Sequence, residues 1–140
     1  MKPYLFEIET MVRDYECDMQ GIVNNAVYQN YLEHCRHEFL HDVGLDFEQL
    51  CKDGIDAVVT RIEMDYKLPL KSRDVFIVKL GMRKQGRLRF VFDQAIVRKA
   101  DGRLVLEAQV TGVLTRNGKP IAPDLFNEVF FARDGSSGPR

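Results

Sequence analysis

The sequence predicts an α+β domain in which one long helix lies against a curved antiparallel sheet of about five strands. Three observations carry this. Apolar residues between Val27 and Val43 recur every three or four positions, the period of a helix with one buried stripe. After Gly54 the pattern becomes long runs of strand-forming residues separated by turn signals, as in antiparallel strands. The helical and extended segments are segregated along the chain rather than interleaved, which selects α+β over a parallel α/β sheet. One helix covers only one sheet face, so the other face and the sheet edges need cover, and self-association is expected.

Taken in order, residues 3–14 read as a first strand, with Tyr4, Phe6 and Ile8 alternating with Leu5, Glu7 and Glu9. A polar turn follows, and from about Ala26 the helical period begins. Val27/Tyr28, Tyr31/Leu32, Cys35, Phe39 and Val43 form the apolar stripe; Glu33, Arg36, His37, Glu38 and His41 fill the other face. Asn24 or Asn25 suits the N-cap, and Gly44 stands where a left-handed residue would end a helix of about five turns. Asp46 and Gln49 are spaced as a capping box for a short further turn. Ile62, Met64, Tyr66 and Leu68 alternate with charged residues, which reads as a half-buried strand. Further strands are expected over Val75–Arg83, Leu88–Arg98 and Leu104–Thr115. They are joined by turns at Lys84-Gln85-Gly86 and Ala100-Asp101-Gly102, and Arg116-Asn117-Gly118-Lys119 is a tight-turn signal. A short segment led by Pro123 and a tail over 134–140, read as disordered, close the chain, leaving a single domain over 1–133.

At 140 residues the chain supports one core, and 45% apolar with 29% charged residues is ordinary for a globular protein. The net charge of −1 gives no electrostatic reason to expect a nucleic-acid partner. No apolar run approaches the roughly 20 residues of a membrane span, and Met1-Lys2-Pro3-Tyr4-Leu5 lacks a signal-peptide core, so a cytoplasmic location is expected. Cys17, Cys35 and Cys51 are odd in number and widely spaced, which argues against a disulfide framework and a thiolate zinc site. Cys17 lies between Glu16 and Asp18, whose charges disfavour a thiolate, so it reads as a packing residue rather than a nucleophile. His37 and His41 share a helix face, but a solvated face is preferred to a metal site there.

The chemistry concentrates at Asp18. Its carboxylate sits in a short turn just upstream of a helix start, where free backbone N–H groups and the positive end of the dipole are available. A carboxylate and N–H donors around one cavity are what carbonyl hydrolysis requires. A turn cap remains the structural alternative for Asp18, as does a helix cap for Asn24 or Asn25.

These residues carry a resemblance. The run Tyr15-x-x-Asp18-x-x-Gly21-Ile22-Val23-Asn24-Asn25-x-x-Tyr28-x-x-Tyr31-Leu32-Glu33-x-x-Arg36, with Met64-Asp65-Tyr66-x-x-Pro69, Asp74-Val75 and Gly86-Arg87, resembles the hotdog-fold acyl-CoA thioesterases. The likeness is to the group of 4-hydroxybenzoyl-CoA thioesterase and the bacterial acyl-CoA thioester hydrolases, and it extends from about Tyr4 to Asp124. It implies hydrolysis of an acyl-CoA to a free acid and CoA, with Asp18 as general base or nucleophile. It assigns the backbone N–H of Asn25 to the oxyanion, and Gly21 to a close approach of backbone to substrate. It implies no metal or organic cofactor, and a homodimer or a dimer of dimers (a homotetramer) whose subunits share the site. Some relatives carry a His near this turn; here the positions hold Gln20, Ile22, Asn24 and Asn25, which favours chemistry by Asp18 without an imidazole.

Asn24 and Tyr28 join Gly21 as substrate-binding candidates, although the stripe containing Tyr28, Tyr31, Leu32 and Phe39 is core first. Tyr28, Tyr31, Phe90 and Phe92 line an acyl pocket or simply fill the core; both readings stay open. Arg83, Lys84, Arg87 and Arg89 cluster on one hairpin, either as a solvated edge or as a site for the CoA phosphates, with Arg87 and Arg89 the candidates. Two other functions are weighed: a non-catalytic acyl-CoA sensor, and a hydratase or dehydratase, which the missing His disfavours.

Overall fold

The structure, a computed structural model, describes residues 4–133; the expected tail over 134–140 and the Pro3 start of the first expected strand lie outside them. The elements in chain order are β1 (Phe6–Met11), α1 (Val27–Asp42), α2 (Phe47–Lys52), β2 (Ile55–Tyr66), β3 (Val75–Gln85), β4 (Arg89–Arg98), β5 (Leu104–Arg116), β6 (Lys119–Ile121) and α3 (Asn127–Arg133). The strands form one antiparallel sheet in the order β1-β3-β4-β5-β2. The short β6 pairs with Leu114–Arg116, where β4 has ended. The sheet curls around α1, the hotdog arrangement that the resemblance implies.

Local chemistry accounts for the ends of α1. Gly44 adopts φ +83, and its N–H donates to the His41 carbonyl at 3.0 Å while Leu45 N–H donates to Leu40 at 2.9 Å. This pair of bonds is a Schellman ending, available because glycine accepts the left-handed conformation. Asp46 caps α2 through a bond from Gln49 N–H at 3.1 Å; the Gln49 side chain turns forward to Asp53 instead of back, so the capping box is half made. Asn117 and Gly118 both have positive φ, 51 and 84, as a type I′ hairpin turn demands.

The core lies between α1 and the concave sheet face. Tyr28, Tyr31, Leu32, Cys35 and Phe39 from the helix meet Phe76, Val78, Leu80 and Met82 of β3 and Phe92 and Ile96 of β4. α3, which no periodicity in the sequence announced, follows Phe126, whose ring packs on Phe90 at 5.1 Å.

Two expectations need correction. Arg36, placed by its spacing on the solvated helix face, is buried with only 9% exposure. The strand carrying Ile62, Met64 and Tyr66 is not half-buried: it begins at Ile55, and nearly all of it is exposed on both faces. The reason is position. β2 is the last strand in the sheet, and a bulge between Val59 and Arg61 interrupts its register against β5. No helix among the described residues is long and apolar enough to cross a membrane.

Candidate active site

The chain reverses between Cys17 and Val23, which form an isolated antiparallel bridge. Inside it, Asp18 N–H donates to the Ile22 carbonyl at 2.8 Å and Gly21 N–H donates to the Asp18 carbonyl at 3.0 Å. Gly21 takes φ +80, a conformation that a side chain would strain. Asp18 Oδ1 accepts from Gln20 N–H at 2.8 Å and more loosely from Ile22 N–H at 3.4 Å. Oδ2 makes no hydrogen bond among the described residues. One oxygen is thus tied into the turn while the other is left open on an exposed side chain.

The turn is anchored from beneath. Val23 N–H donates to the Leu70 carbonyl at 2.9 Å, and Ile22 bridges Lys71. Leu70 N–H donates to the buried Tyr28 hydroxyl at 3.0 Å, and Tyr31 Oη donates to Glu16 Oε1 at 2.8 Å. Burial raises the Tyr28 phenol above its usual pKa; for Tyr31, burial and then the Glu16 carboxylate do the same. Both phenols therefore keep their protons, and Tyr28 sits in the core as a support of the turn. Partial desolvation, then Asp14, Asp18 and Glu16, push the Cys17 thiol up, in line with its reading as a non-nucleophile.

At the helix start, the Asn24 side chain accepts from Ala26 N–H at 3.1 Å and its carbonyl accepts from Val27 N–H at 2.9 Å. The position directly before α1 is Ala26, which has no side-chain cap; of the two asparagines, Asn24 is the one whose side chain bonds the backbone of the turn leading into the helix. The Asn25 N–H makes no hydrogen bond among the described residues, so a backbone donor is open at the positive end of α1. The Asn25 carbonyl receives Tyr66 Oη at 3.4 Å, and the Tyr66 ring packs edge-on to Tyr28 at 5.6 Å. Tyr66, an alternating position of a strand and part of the Met64-Asp65-Tyr66-x-x-Pro69 motif, is 48% exposed and borders the helix start.

Arg87 and Arg89 are not brought to this place within the chain. The Asp18 turn adjoins the start of β3, where Met11 pairs with Val75 and Val12 N–H meets the Asp74 carbonyl. The two arginines flank the hairpin at the other end of β3, roughly 30 Å away along a strand. Of their neighbours, Arg83 is tied to Asp93 at 2.9 Å.

Between α1 and the exposed β2 runs a trough. Its larger part is a cavity of ≈ 670 Å³, walled by Leu40, Phe47, Val58, Phe90 and Phe92, with His37 and His41 at its border. A smaller cavity of ≈ 190 Å³ continues past Gln29 and Asn30 toward the helix start. Glu33, Arg36 and Val59 border both. Phe90 and Phe92, buried as they are, line this trough and fill the core at once.

A helix sheathed by a curled sheet, with an exposed carboxylate in the turn that leads into the helix, is the arrangement of a hotdog domain. The family model of the thioesterase-like superfamily matches residues 12–132, and the chain belongs to that superfamily, as the resemblance implies. It is similar to a chloroplastic acyl-acyl carrier protein thioesterase of Arabidopsis thaliana, 38% identical over 111 residues that make up 79% of this chain and 58% of the relative. The chain therefore spans less than two thirds of that plant protein. It is also similar to the long-chain acyl-CoA thioesterase of Escherichia coli, 26% identical over 107 residues, 76% of this chain and 80% of the relative. Among solved structures, a hypothetical protein from Aquifex aeolicus superimposes with a TM-score of 0.81 at 31% identity, covering 90% of this chain and 99% of that one. A 1,4-dihydroxy-2-naphthoyl-CoA thioesterase from Synechocystis has the same fold, with a TM-score of 0.84 at 19% identity over 92% of this chain and 97% of that one.

Proposed function

We propose that this chain hydrolyses an acyl-CoA thioester to a free carboxylic acid and CoA. The observation that carries the reading is the Asp18 carboxylate, fixed through Oδ1 and open at Oδ2, ahead of the unengaged Asn25 N–H. In the general-base course Oδ2 takes a proton from water as the water oxygen adds to the thioester carbonyl. The oxyanion forms against the Asn25 N–H and the α1 dipole. Collapse breaks the carbon–sulfur bond, and the CoA thiolate recovers the proton. In the nucleophilic course Oδ2 itself adds, CoA leaves from a mixed anhydride, and water then releases the acid. Neither course draws on a metal or organic cofactor, and Tyr66 holds the Asn25 peptide in place from its carbonyl side.

The reading extends to a second copy. β2 is a free edge that exposes Val58, Val59, Ile62 and Tyr66, a strand that invites antiparallel pairing with itself. In a dimer built this way the trough beside β2 lies at the subunit boundary, and cations such as Arg87 and Arg89 have a second route to a site, that of the neighbour.

The test is thiol release from short, medium, long and aromatic acyl-CoAs, with one acyl-acyl carrier protein alongside. Asp18→Asn and Asp18→Ala are expected to lower kcat/KM by about a hundredfold or more at unchanged circular dichroism. Turnover unaffected by either change would overturn the mechanism. Tight binding of acyl-CoA without any thiol released would instead favour a sensor.

A further inference from the structure

α1 carries a cation where the helix faces the sheet. Arg36 is 9% exposed and borders both cavities of the trough. Its Nη1 donates to Gln94 Oε1 at 3.1 Å, and the Gln94 amide is itself held by donating to the Leu32 carbonyl at 3.0 Å. Gln94 is neutral. Glu33 acts on Arg36 electrostatically from one turn earlier, yet no carboxylate among the described residues forms an ion pair with it. A guanidinium has five N–H donors in a rigid fork, so most of this one's capacity is unspent. A charge buried without a partner is costly, and a cavity wall is where such a cost is offset by a ligand. The surrounding walls, Leu40, Val59, Phe90 and Phe92, are apolar. An apolar pocket with a few fixed polar groups is the usual design for binding a hydrocarbon and reading one feature on it.

We propose that the trough takes the acyl group and that Arg36 determines its specificity by binding an acceptor oxygen (hydroxyl, oxo or carboxylate) carried on the chain beyond the thioester. This rests on the acyl-thioesterase reading above but makes a separate claim. Arg36 lies eleven positions past Asn25, about 16 Å along the helix axis, so it is no part of the oxyanion machinery. Gln94 positions the fork by fixing one of its arms, leaving the others for ligand.

The experiment measures dissociation constants for pairs of non-hydrolysable acyl-CoA thioethers, each pair identical but for one oxygen function, with its position scanned along the chain. The wild-type protein is expected to bind the oxygenated member about tenfold or more tightly at a defined position, the strength of a charge-assisted hydrogen bond. In Arg36→Met that ratio collapses toward one. Gln94→Glu, which supplies an internal carboxylate, is expected to reduce the ratio too, and it serves where Arg36→Met fails to fold. A wild-type ratio near one at every position, or a ratio that survives in the variants, overturns the proposal. A tether that merely joined α1 to β4 would change stability and leave the ratio alone. Because the probes are not hydrolysed, discrimination without turnover would sink the hydrolase reading and keep this one. Turnover without discrimination would do the reverse.

Discussion

Glu16 gathers three donors: Arg13 N–H at 2.8 Å, the Tyr31 hydroxyl at 2.8 Å and Arg13 Nη1 at 3.3 Å. Its own carbonyl accepts Asn24 N–H at 3.0 Å, so one residue links the Asp18 turn to the cap of α1. Tyr31→Phe removes a hydroxyl that bonds to a partly buried carboxylate, and we expect a loss of about 1.5–3 kcal/mol in urea unfolding. Turnover should fall as well, because one of the bonds that position the turn against α1 is lost. A variant as stable as the parent would show that the bond contributes nothing net. The same tyrosine supplies core packing, its ring 4.6 Å from Phe76, which phenylalanine preserves; the substitution therefore isolates the hydroxyl.

Among the elements, β5 has a position that tolerates no side chain. A Cβ on Gly112 would stand 2.8 Å from Phe90 Cζ and 3.0 Å from the Val58 carbonyl oxygen. Gly112 pairs with Phe90 on one side and Val59 on the other, next to the β2 bulge. Rotating Phe90 would push it into Phe126 and Phe92, and the Val58 carbonyl is backbone, so neither neighbour yields easily. Gly112→Ala should cost about 1–3 kcal/mol, read from the urea midpoint. It should also loosen β2, visible as faster amide exchange over Ile55–Tyr66 relative to β3. Wild-type exchange in β2 would mean that the strand adjusts without strain.

For the whole molecule, the sheet leaves one long edge, β2, with apolar side chains in water. Val59→Lys with Ile62→Lys places charges on that edge, a common defence of exposed strands. If β2 pairs with its own copy, the wild type elutes with at least twice the chain mass in light scattering and the double variant with half the wild-type mass or less. A wild type with the mass of a single chain would rule the pairing out. Thioesterase activity is expected to fall with the dimer, because in the proposed pairing the trough beside β2 lies at the subunit boundary.

Features encoded over a few residues were legible. Gly44 ended α1, Asn117-Gly118 made its primed turn and Asp46 capped α2, because each depends on backbone chemistry within four or five positions. The turn before α1 was legible for the same reason: Asp18 accepts from the N–H groups of Gln20, Gly21 and Ile22, and Asn24 from those of Ala26 and Val27. Alternation and helical period sufficed for the α+β class, and the resemblance carried by the run around Asp18 supplied the hotdog family. Strand order was not legible, and neither was what depends on it. β2 is the last strand of the sheet, so Ile62 and Tyr66 stay partly open to water although they look toward α1, and Tyr66 reaches Asn25. Arg87 and Arg89 fall at the far end of β3 from Asp18 because the turns at the two ends of a long hairpin cannot meet. Arg36 looked like one charge among several on a solvated face, and only the approach of β4, with Gln94 opposite, closed water away from it. Periodicity sorts residues by their own polarity, whereas burial is decided by whichever strand arrives from elsewhere in the chain.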